Sequence, residues 1–216
     1  MHGTYDPKFA RMVEAFASNF EGGGNQDIGV SFAATIDDEM VVDIWAGHAD
    51  VAKTRPWEHD TIGNVWPTTK SLVMMCIHIL VDCGLLDLEA PVSGYWPEFA
   101  QGGKENMPVM WLLTHRSALS RLMGDMLSVK ASYDWDLIVG KLAQQEPLWE
   151  PETQSGYHSV TFGFLVGEVI LLVSGKTVGT FLREEVAEPL GADFHVGLGD
   201  EHFGRVAELS VPTPRP

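Results

Sequence analysis

The chain of 216 residues has few cysteines, few basic side chains and no apolar run of membrane-spanning length. Its two cysteines exclude a zinc ribbon and a disulfide framework, which both need more thiols. Its 14 Lys and Arg against 30 Asp and Glu give a formal charge of −16. Nucleic acids and anionic membranes are bound through basic side chains, so neither is expected as a partner. The 45% of apolar residues instead predict a globular chain of one domain or two small lobes.

The two cysteines are expected to be free thiols. Cys76 and Cys83 are seven residues apart in a segment with helical periodicity, which separates their Cα atoms by about 10 Å, beyond the reach of a disulfide. We expect both to be buried in a reducing compartment. Residues 1–8 lack a basic stretch followed by an apolar core, so no signal peptide is predicted and a cytoplasmic location is expected.

The first part of the chain, residues 1–60, predicts a helix followed by a β-hairpin. Asp6 and Pro7 form a favourable helix start, because Asp accepts free N–H groups and Pro has none to leave unpaired. Apolar residues then recur at helical spacing over the next turns. Residues 28–36 and 40–45 alternate between apolar and polar or small side chains, as expected for two antiparallel strands.

Residues 61–200 predict a mostly helical lobe, and the proline-rich residues 201–216 predict a linker. Helical periodicity is found at residues 67–83, 108–115, 135–145, 157–173 and 178–190. The segment 157–173 is apolar nearly all round and is therefore expected to be the central buried helix. On the 67–83 helix, the stripe expected to face the core comprises Leu72, Met75, Cys76, Ile79, Leu80 and Cys83. The predicted fold class is α/β, in the α+β sense.

The predicted hairpin is too small to be stable alone. A two-stranded hairpin is marginal in water, and both of its edges would offer unpaired backbone groups to another strand. We therefore expect the chain to be an N-terminal portion of a larger fold. The C-terminal strands of that fold are expected to be missing from this chain. Such a chain is expected either to associate with a complementing chain or to self-associate through the hairpin edge.

Several catalytic and binding motifs are missing from the sequence. There is no Gly-x-Ser-x-Gly, Ser-x-x-Lys or His-Glu-x-x-His pattern, and no glycine-rich phosphate loop. The histidines show no spacing typical of metal ligands. No metal and no cofactor is therefore predicted.

Five phrases in order along the chain resemble one family of enzymes. They are Thr61-Ile-Gly-Asn-Val-Trp-Pro-Thr-Thr-Lys70, Gly84-Leu-Leu-Asp-Leu-Glu-Ala-Pro-Val92, Tyr95-Trp-Pro-Glu-Phe99, Leu112-Leu-Thr-His-Arg-Ser-Ala-Leu119 and Trp149-Glu-Pro-Glu-Thr-Gln-Ser-Gly-Tyr157-His-Ser-Val-Thr-Phe-Gly-Phe-Leu-Val-Gly-Glu168. Together they are similar to the serine β-lactamase-like hydrolases, the family of class C β-lactamases, DD-peptidases and the esterases built on the same fold. The phrase around Tyr157 resembles the esterase branch, the family VIII carboxylesterases.

The resemblance implies a fold, a reaction and several site positions. The fold is of the β-lactamase/transpeptidase type, and the reaction is hydrolysis of a small ester or amide substrate through an acyl-serine. Lys70 matches the family's lysine one helical turn after the nucleophile, and Tyr157 matches its catalytic tyrosine. The residues alone leave alternatives open, with Lys70 as a solvated lysine at a helix start and Tyr157 as a core aromatic with a hydrogen-bonded hydroxyl.

Position 67 departs from the family pattern at the residue on which the reaction depends. It holds Pro67 where the family has the nucleophilic serine. Proline has neither a hydroxyl to acylate nor the backbone N–H that lines the family's oxyanion hole, and loss of one such donor alone reduces a rate by about 10²–10³. The sequence also shows no third family motif, the strand with Lys-Thr-Gly or its His-x-Gly or Trp-x-Gly equivalent. We expect little or no hydrolysis from this chain. The alternative is a non-catalytic binding or scaffold protein that retains the pocket.

Further residues surround the matched positions. Trp66, Trp149 and Tyr157 are expected either to wall an apolar substrate cleft or to pack in the core. The position of His158, directly after the matched tyrosine, implies that it lines the acyl pocket, whereas His115 is expected to make a structural hydrogen bond.

Three replacements distinguish this sequence from the family pattern near the site. Arg116, Ala118 and Glu152 stand where the family has Thr, Gly and Gly. If the two glycine positions require positive φ, each replacement costs about 1 kcal/mol of stability.

Overall fold

The computed structural model describes residues 1–21, 26–123 and 130–210. Two compact units divide the chain into Met1–Val65 with Leu198–Pro216, and Trp66–Gly197. Residues 211–216 of the segment predicted as a linker lie outside the described residues.

The first unit is built on a three-stranded antiparallel sheet of order β1–β3–β2. Its strands are β1 (His2–Tyr5), β2 (Gly29–Ile36) and β3 (Glu39–Gly47). β2 and β3 form the predicted hairpin, closed by Asp37 and Asp38. Both aspartates have positive φ, as a two-residue turn of the I′ type requires. The pairing of β1 with β3 corrects the expectation that both hairpin edges lack a partner.

β1 escapes prediction because its four side chains are all exposed and show no alternation. Backbone pairing places it instead, with His2 opposite Trp45. Gly3 has a φ of +100°, and a Cβ at this position would lie 2.0 Å from the carbonyl oxygen of Asp43. β1 can therefore approach β3 this closely only because the residue is glycine.

One face of the sheet packs against α1 (Ala10–Ser18), which follows a short 3-10 turn at Pro7–Phe9. The carboxylate of Asp6 accepts the N–H of Lys8 at 3.0 Å and so caps this turn, in agreement with the predicted helix start. The core of this unit consists of Val13, Phe16, Val42, Ile44 and Ala46.

Residues 201–210, predicted to be linker, group with the first unit. Asp200–Arg205 forms a 3-10 helix, after which Val206 pairs with Ile62 in a parallel bridge. The Arg55 guanidinium donates to the carbonyl of Val206 at 3.1 Å. These partners are distant in sequence, so the composition of the segment gives no signal of them.

The second unit is helical. Its helices are α2 (Thr69–Asp82), α3 (Val109–Leu113), α4 (Trp135–Gln144), α5 (Thr161–Ser174), α6 (Val178–Leu182) and α7 (Glu188–Leu190). A π-helical turn at Arg183–Ala187 joins α6 to α7. α5 contacts α2, α3, α4 and α6 and is the central helix that the sequence predicts. Within the described part of the chain, no helix alone has the length and apolar composition of a membrane span, although α5 and the helical stretch 178–190, bent by 69°, reach them together.

The buried face of α2 differs from the predicted stripe. The side chains that it buries are Val73, Cys76, Ile77 and Leu80. Met75 is 43% exposed, and Cys83 is exposed, which corrects the expectation that both thiols are buried. Burial raises the pKa of the Cys76 thiol to about 11. Because α2 carries apolar residues on two sides, periodicity does not decide which side meets the core.

A fully buried lysine closes the carboxyl end of α4. The ammonium of Lys104 donates to the carbonyls of Gln101, Ala143 and Gln145 at 2.7, 3.0 and 2.6 Å. It also lies 4.9 Å from the centre of the Phe99 ring. Burial lowers the pKa of Lys104, and the three carbonyls satisfy the donors of the ammonium.

Lys104→Met should destabilise the chain by about 3 kcal/mol, because it leaves buried carbonyl groups without a donor. Lys141→Met is the matched control. It removes an exposed lysine from α4, the helix whose carboxyl end Lys104 contacts, and should change the free energy of unfolding little. Urea denaturation of the three proteins measures the difference. Equal stability of both variants would contradict a structural role for Lys104.

The outer edge of β2 has no strand partner among the described residues. Phe32 and Ile36 of this strand are 40% and 47% exposed.

We expect the chain to associate with a complementing chain, or with itself, through this edge. Light scattering over a concentration series should give a mass above that of one chain, and Ala33→Lys should reduce self-association by charging the edge. A monomer at all concentrations with a cooperative melt would show that the edge needs no partner.

Candidate active site

The candidate site begins at the amino-terminal end of α2. A 3-10 turn at Trp66–Thr68 leads into the helix, and Trp66 has a φ of +50°. Pro67 occupies this turn without conflict, since its missing N–H and fixed φ suit the start of a helix. The fold therefore accepts proline at the position where the resemblance places the nucleophile.

Lys70 reaches from the first turn of α2 to the segment that precedes α5. Its Nζ donates to the carbonyl oxygen of Ser159 at 3.0 Å. The same nitrogen lies 5.1 Å from the centre of the Tyr157 ring and 5.5 Å from that of Phe162, within the range of cation–π attraction. The two residues that match the family's lysine and tyrosine are thus neighbours in space.

Tyr157 is 54% exposed, so it is not a buried core aromatic. Its ring meets the His115 ring edge-on, with centroids 5.1 Å apart. Lys70 is only partly exposed and has a backbone partner, which distinguishes it from a freely solvated lysine at a helix start.

His158 is fully buried and is not among the described residues that line the cavity beside Lys70. Its place in an acyl pocket stays a prediction. Its Nε2 accepts the N–H of Leu119 at 3.2 Å and lies 2.8 Å from the Ser117 hydroxyl. Its Nδ1 lies 2.6 Å from the carbonyl oxygen of Gly156. These partners assign the proton to Nδ1, which donates to Gly156, and leave Nε2 as the acceptor.

His115 makes the structural hydrogen bond expected of it. Its Nδ1 accepts the backbone N–H of His158 at 3.3 Å, and the two rings stack at 5.2 Å. Burial lowers the pKa of His158 to about 4. Burial, and secondly the positive charge of Lys70, lower the pKa of His115. Both imidazoles are therefore neutral at neutral pH.

Trp149 supports the loop that carries Tyr157. It is not among the residues that line the cavity described below. A Cβ at Gly156 would lie 2.4 Å from Cη2 of the Trp149 ring, so the indole packs directly on the glycine backbone. The indole N–H donates to the carbonyl of Gln154 at 3.4 Å.

The two residues that replace the family's glycines lie in the left-handed conformation. Ala118 has a φ of +58° and Glu152 a φ of +72°. The Glu152 N–H donates to the carbonyl of Arg116 at 3.0 Å, and the Arg116 guanidinium lies 2.8 Å from the Glu152 carboxylate. Arg116 and Glu152, two of the three residues that differ from the family pattern, are thus bonded to each other.

A cavity of about 460 Å³ opens beside Lys70, within the second unit. Its lining consists of Trp66, Pro67, Thr69, Lys70, Val73, Trp135, Tyr157, Ser159, Val160, Phe162, Gly163, Phe164, Val178 and Val196. Trp66 is the one predicted substrate-binding residue of the three that lines it. The walls from α4 and α6 carry no motif and are not predicted from the sequence, whereas the α5 wall lies in the phrase that resembles the esterase branch.

Trp135 is the largest wall residue that the sequence gives no reason to choose. Its indole N–H donates to the Glu168 carboxylate at 2.6 Å. A Cβ at Gly167 would lie 2.7 Å from its Cη2 atom, so the ring contacts α5 at a glycine. A hydrogen bond and a close backbone approach therefore fix this wall of the cavity.

Residues 15–216 match the model of the family described as Beta-lactamase. The chain belongs to the beta-lactamase family. It is 38% identical over 212 residues to the esterase/beta-lactamase LipL of Mycobacterium tuberculosis, covering 97% of this chain and 48% of that protein. The chain thus spans about half the length of this curated relative.

Two solved structures are similar to this chain. A penicillin-binding protein homologue from Caulobacter crescentus superposes with a TM-score of 0.93 at 40% identity, over 100% of this chain and 57% of the homologue. A family VIII carboxylesterase superposes with a TM-score of 0.91 at 40% identity, over 97% of this chain and 57% of that enzyme. The fold is therefore of the penicillin-binding-protein-like beta-lactamase type, as the motifs predict.

The buried neutral His158 predicts acid instability. As the pH falls from about 6.5 to about 4, the imidazole takes up a proton in the unfolded chain but not in the folded one. The free energy of unfolding should fall over this range by about 3 kcal/mol on account of His158, and His115 acts in the same direction. Urea denaturation at several pH values measures the loss.

His158→Gln keeps an acceptor for the Leu119 N–H without an ionisable ring, so it should remove most of this pH dependence. His78→Gln, on the exposed face of α2, is the control and should leave the dependence in place. An unchanged slope in the His158 variant would mean that other groups cause the acid instability.

Proposed function

We propose that the chain carries the lysine and tyrosine of an esterase-type acyl-transfer site whose chemistry Pro67 blocks. The observation that supports it most is the contact of Lys70 with the Ser159 carbonyl and the Tyr157 ring, one helical turn from position 67. The names of the relatives, an esterase/beta-lactamase and a family VIII carboxylesterase, favour small carboxylic esters as the parent substrates.

The arrangement suits a nucleophile at position 67. A hydroxyl there would lie on the same face of the helix as Lys70, which would assist the deprotonation of that hydroxyl. Negative charge that develops at this point would also be favoured by the amino-terminal end of α2. Tyr157, exposed beside Lys70, is placed to exchange a proton with the nucleophile and the leaving group.

Pro67 removes the atom that would form the acyl bond. Thr68 and Thr69 do not replace it, because each points about 100° or more around the helix from the position that faces Lys70. The expected result is a chain that hydrolyses esters slowly or not at all. The cytoplasmic location expected from the sequence remains part of this proposal.

A second candidate function is non-catalytic binding. It is favoured by the intact cavity and by the retained Lys70 and Tyr157, next to a position without a nucleophile. In this role the site would hold a small molecule reversibly.

Pro67→Ser tests the first proposal, with Pro67→Ala as the matched control that restores the N–H but no hydroxyl. Each is prepared in this chain and in a fusion to the part of the Caulobacter homologue that the chain does not span. Only the serine variant should be labelled by a fluorophosphonate at position 67, and its hydrolysis of p-nitrophenyl butyrate should exceed that of the unchanged chain by about 10³-fold or more.

Two results would contradict the proposed esterase site blocked by Pro67. Hydrolysis by the unchanged chain within about tenfold of the serine variant would overturn the block at Pro67. A folded serine fusion that is neither labelled nor active would favour the binding function.

A further inference from the structure

Among the described residues that line the cavity beside Lys70, this lysine is the one charged side chain and none is acidic. The other walls of the cavity are mostly rings and branched aliphatic side chains, with Trp135, Phe162 and Phe164 on one side. The chain as a whole carries a formal charge of −16, so a cavity whose only charge is positive stands out from the rest of the protein. A charge in apolar surroundings is unfavourable unless it is paired.

The Lys70 ammonium has three donors, and its hydrogen bond to protein goes to the Ser159 carbonyl. The Tyr157 and Phe162 rings attract the cation but do not neutralise it. No carboxylate of the described residues lies within 4.0 Å of its Nζ. The charge of Lys70 also reaches the neighbouring His115 ring, whose pKa it helps to lower. Lys70 is therefore a cation that faces the cavity without a counter-ion from the described part of the chain.

We propose that the cavity binds a small monocarboxylate with an aromatic or short acyl tail, its carboxylate on Lys70. This rests on the binding function proposed above and names its ligand class. The tail lies among Trp135, Phe162 and Phe164. A cavity of about 460 Å³ is within the usual range for small-molecule sites.

The charge of the site favours this class over the others. A cationic ligand is repelled by Lys70, and a neutral one of the same shape would cover the ammonium without a counter-ion. A dianion would carry its second charge onto aromatic and aliphatic walls, where nothing compensates it. Pro67 offers no hydroxyl, so the ligand is held without a covalent bond.

Isothermal titration of the chain near neutral pH with phenylbutanoate and with phenylbutanamide tests the proposal. The two probes share their tail and differ in charge. The carboxylate should bind about tenfold more tightly or better, because a charge-assisted hydrogen bond is stronger than a neutral one.

Three variants separate the charge from the cavity. Lys70→Met should reduce carboxylate affinity to that of the amide. Gly163→Leu should weaken both probes, since a Cβ at Gly163 meets no atom within 4 Å and leaves room for a side chain in the cavity. Lys141→Met, which removes an exposed lysine, should leave both affinities unchanged. Circular dichroism confirms that each variant is folded, and Lys70→Gln replaces Lys70→Met if that variant is not.

Equal affinity for the two probes, or an unchanged preference without Lys70, would overturn the ligand class. Binding that survives Gly163→Leu would place the ligand outside the cavity, and no binding of either probe would remove the site altogether. These outcomes are independent of the acylation test at position 67, because they need neither a nucleophile nor the residues that complete the esterase. Each proposal can therefore fail alone.

Discussion

The contact between the Lys70 ammonium and the Ser159 carbonyl is the interaction on which the candidate site depends. It joins the first turn of α2 to the segment before α5, and so brings Tyr157 to the lysine. The contact uses a backbone oxygen, which is available whatever side chain stands at position 67. The lysine and tyrosine can therefore keep their arrangement with proline at position 67.

Folding and chemistry make different demands on position 67. The turn before α2 accepts Pro67, because a helix start needs neither its N–H nor a free φ. Acyl transfer needs a hydroxyl and benefits from that N–H. The block proposed at Pro67 is therefore compatible with the helix, the cavity and the Lys70 contact that the structure shows. Position 152 also accepts a residue other than the family's glycine. Glu152 adopts a left-handed backbone, which glycine would favour, and its carboxylate forms an ion pair with Arg116.

Behind the exposed tyrosine lies a neutral polar network. His158 accepts from the Leu119 N–H and donates to the Gly156 carbonyl, which ties the loop before α5 to the segment after α3. A charged imidazole could not be an acceptor for that N–H, and burial disfavours the charge as well. Trp149 holds the same loop from the other side by packing on Gly156. The loop that presents Tyr157 is thus held by groups outside the cavity lining, in addition to the Lys70 contact with Ser159.

The sequence by itself determined the family, the hairpin and the central helix α5, because motif spacing and periodicity are local properties. Tertiary structure alone decided that β1 pairs with β3, that Trp135 walls the cavity and that His158 is buried. It also decided which side of α2 meets the core, and so left Cys83 exposed. These features depend on contacts between segments far apart in the chain, and periodicity describes only one element at a time.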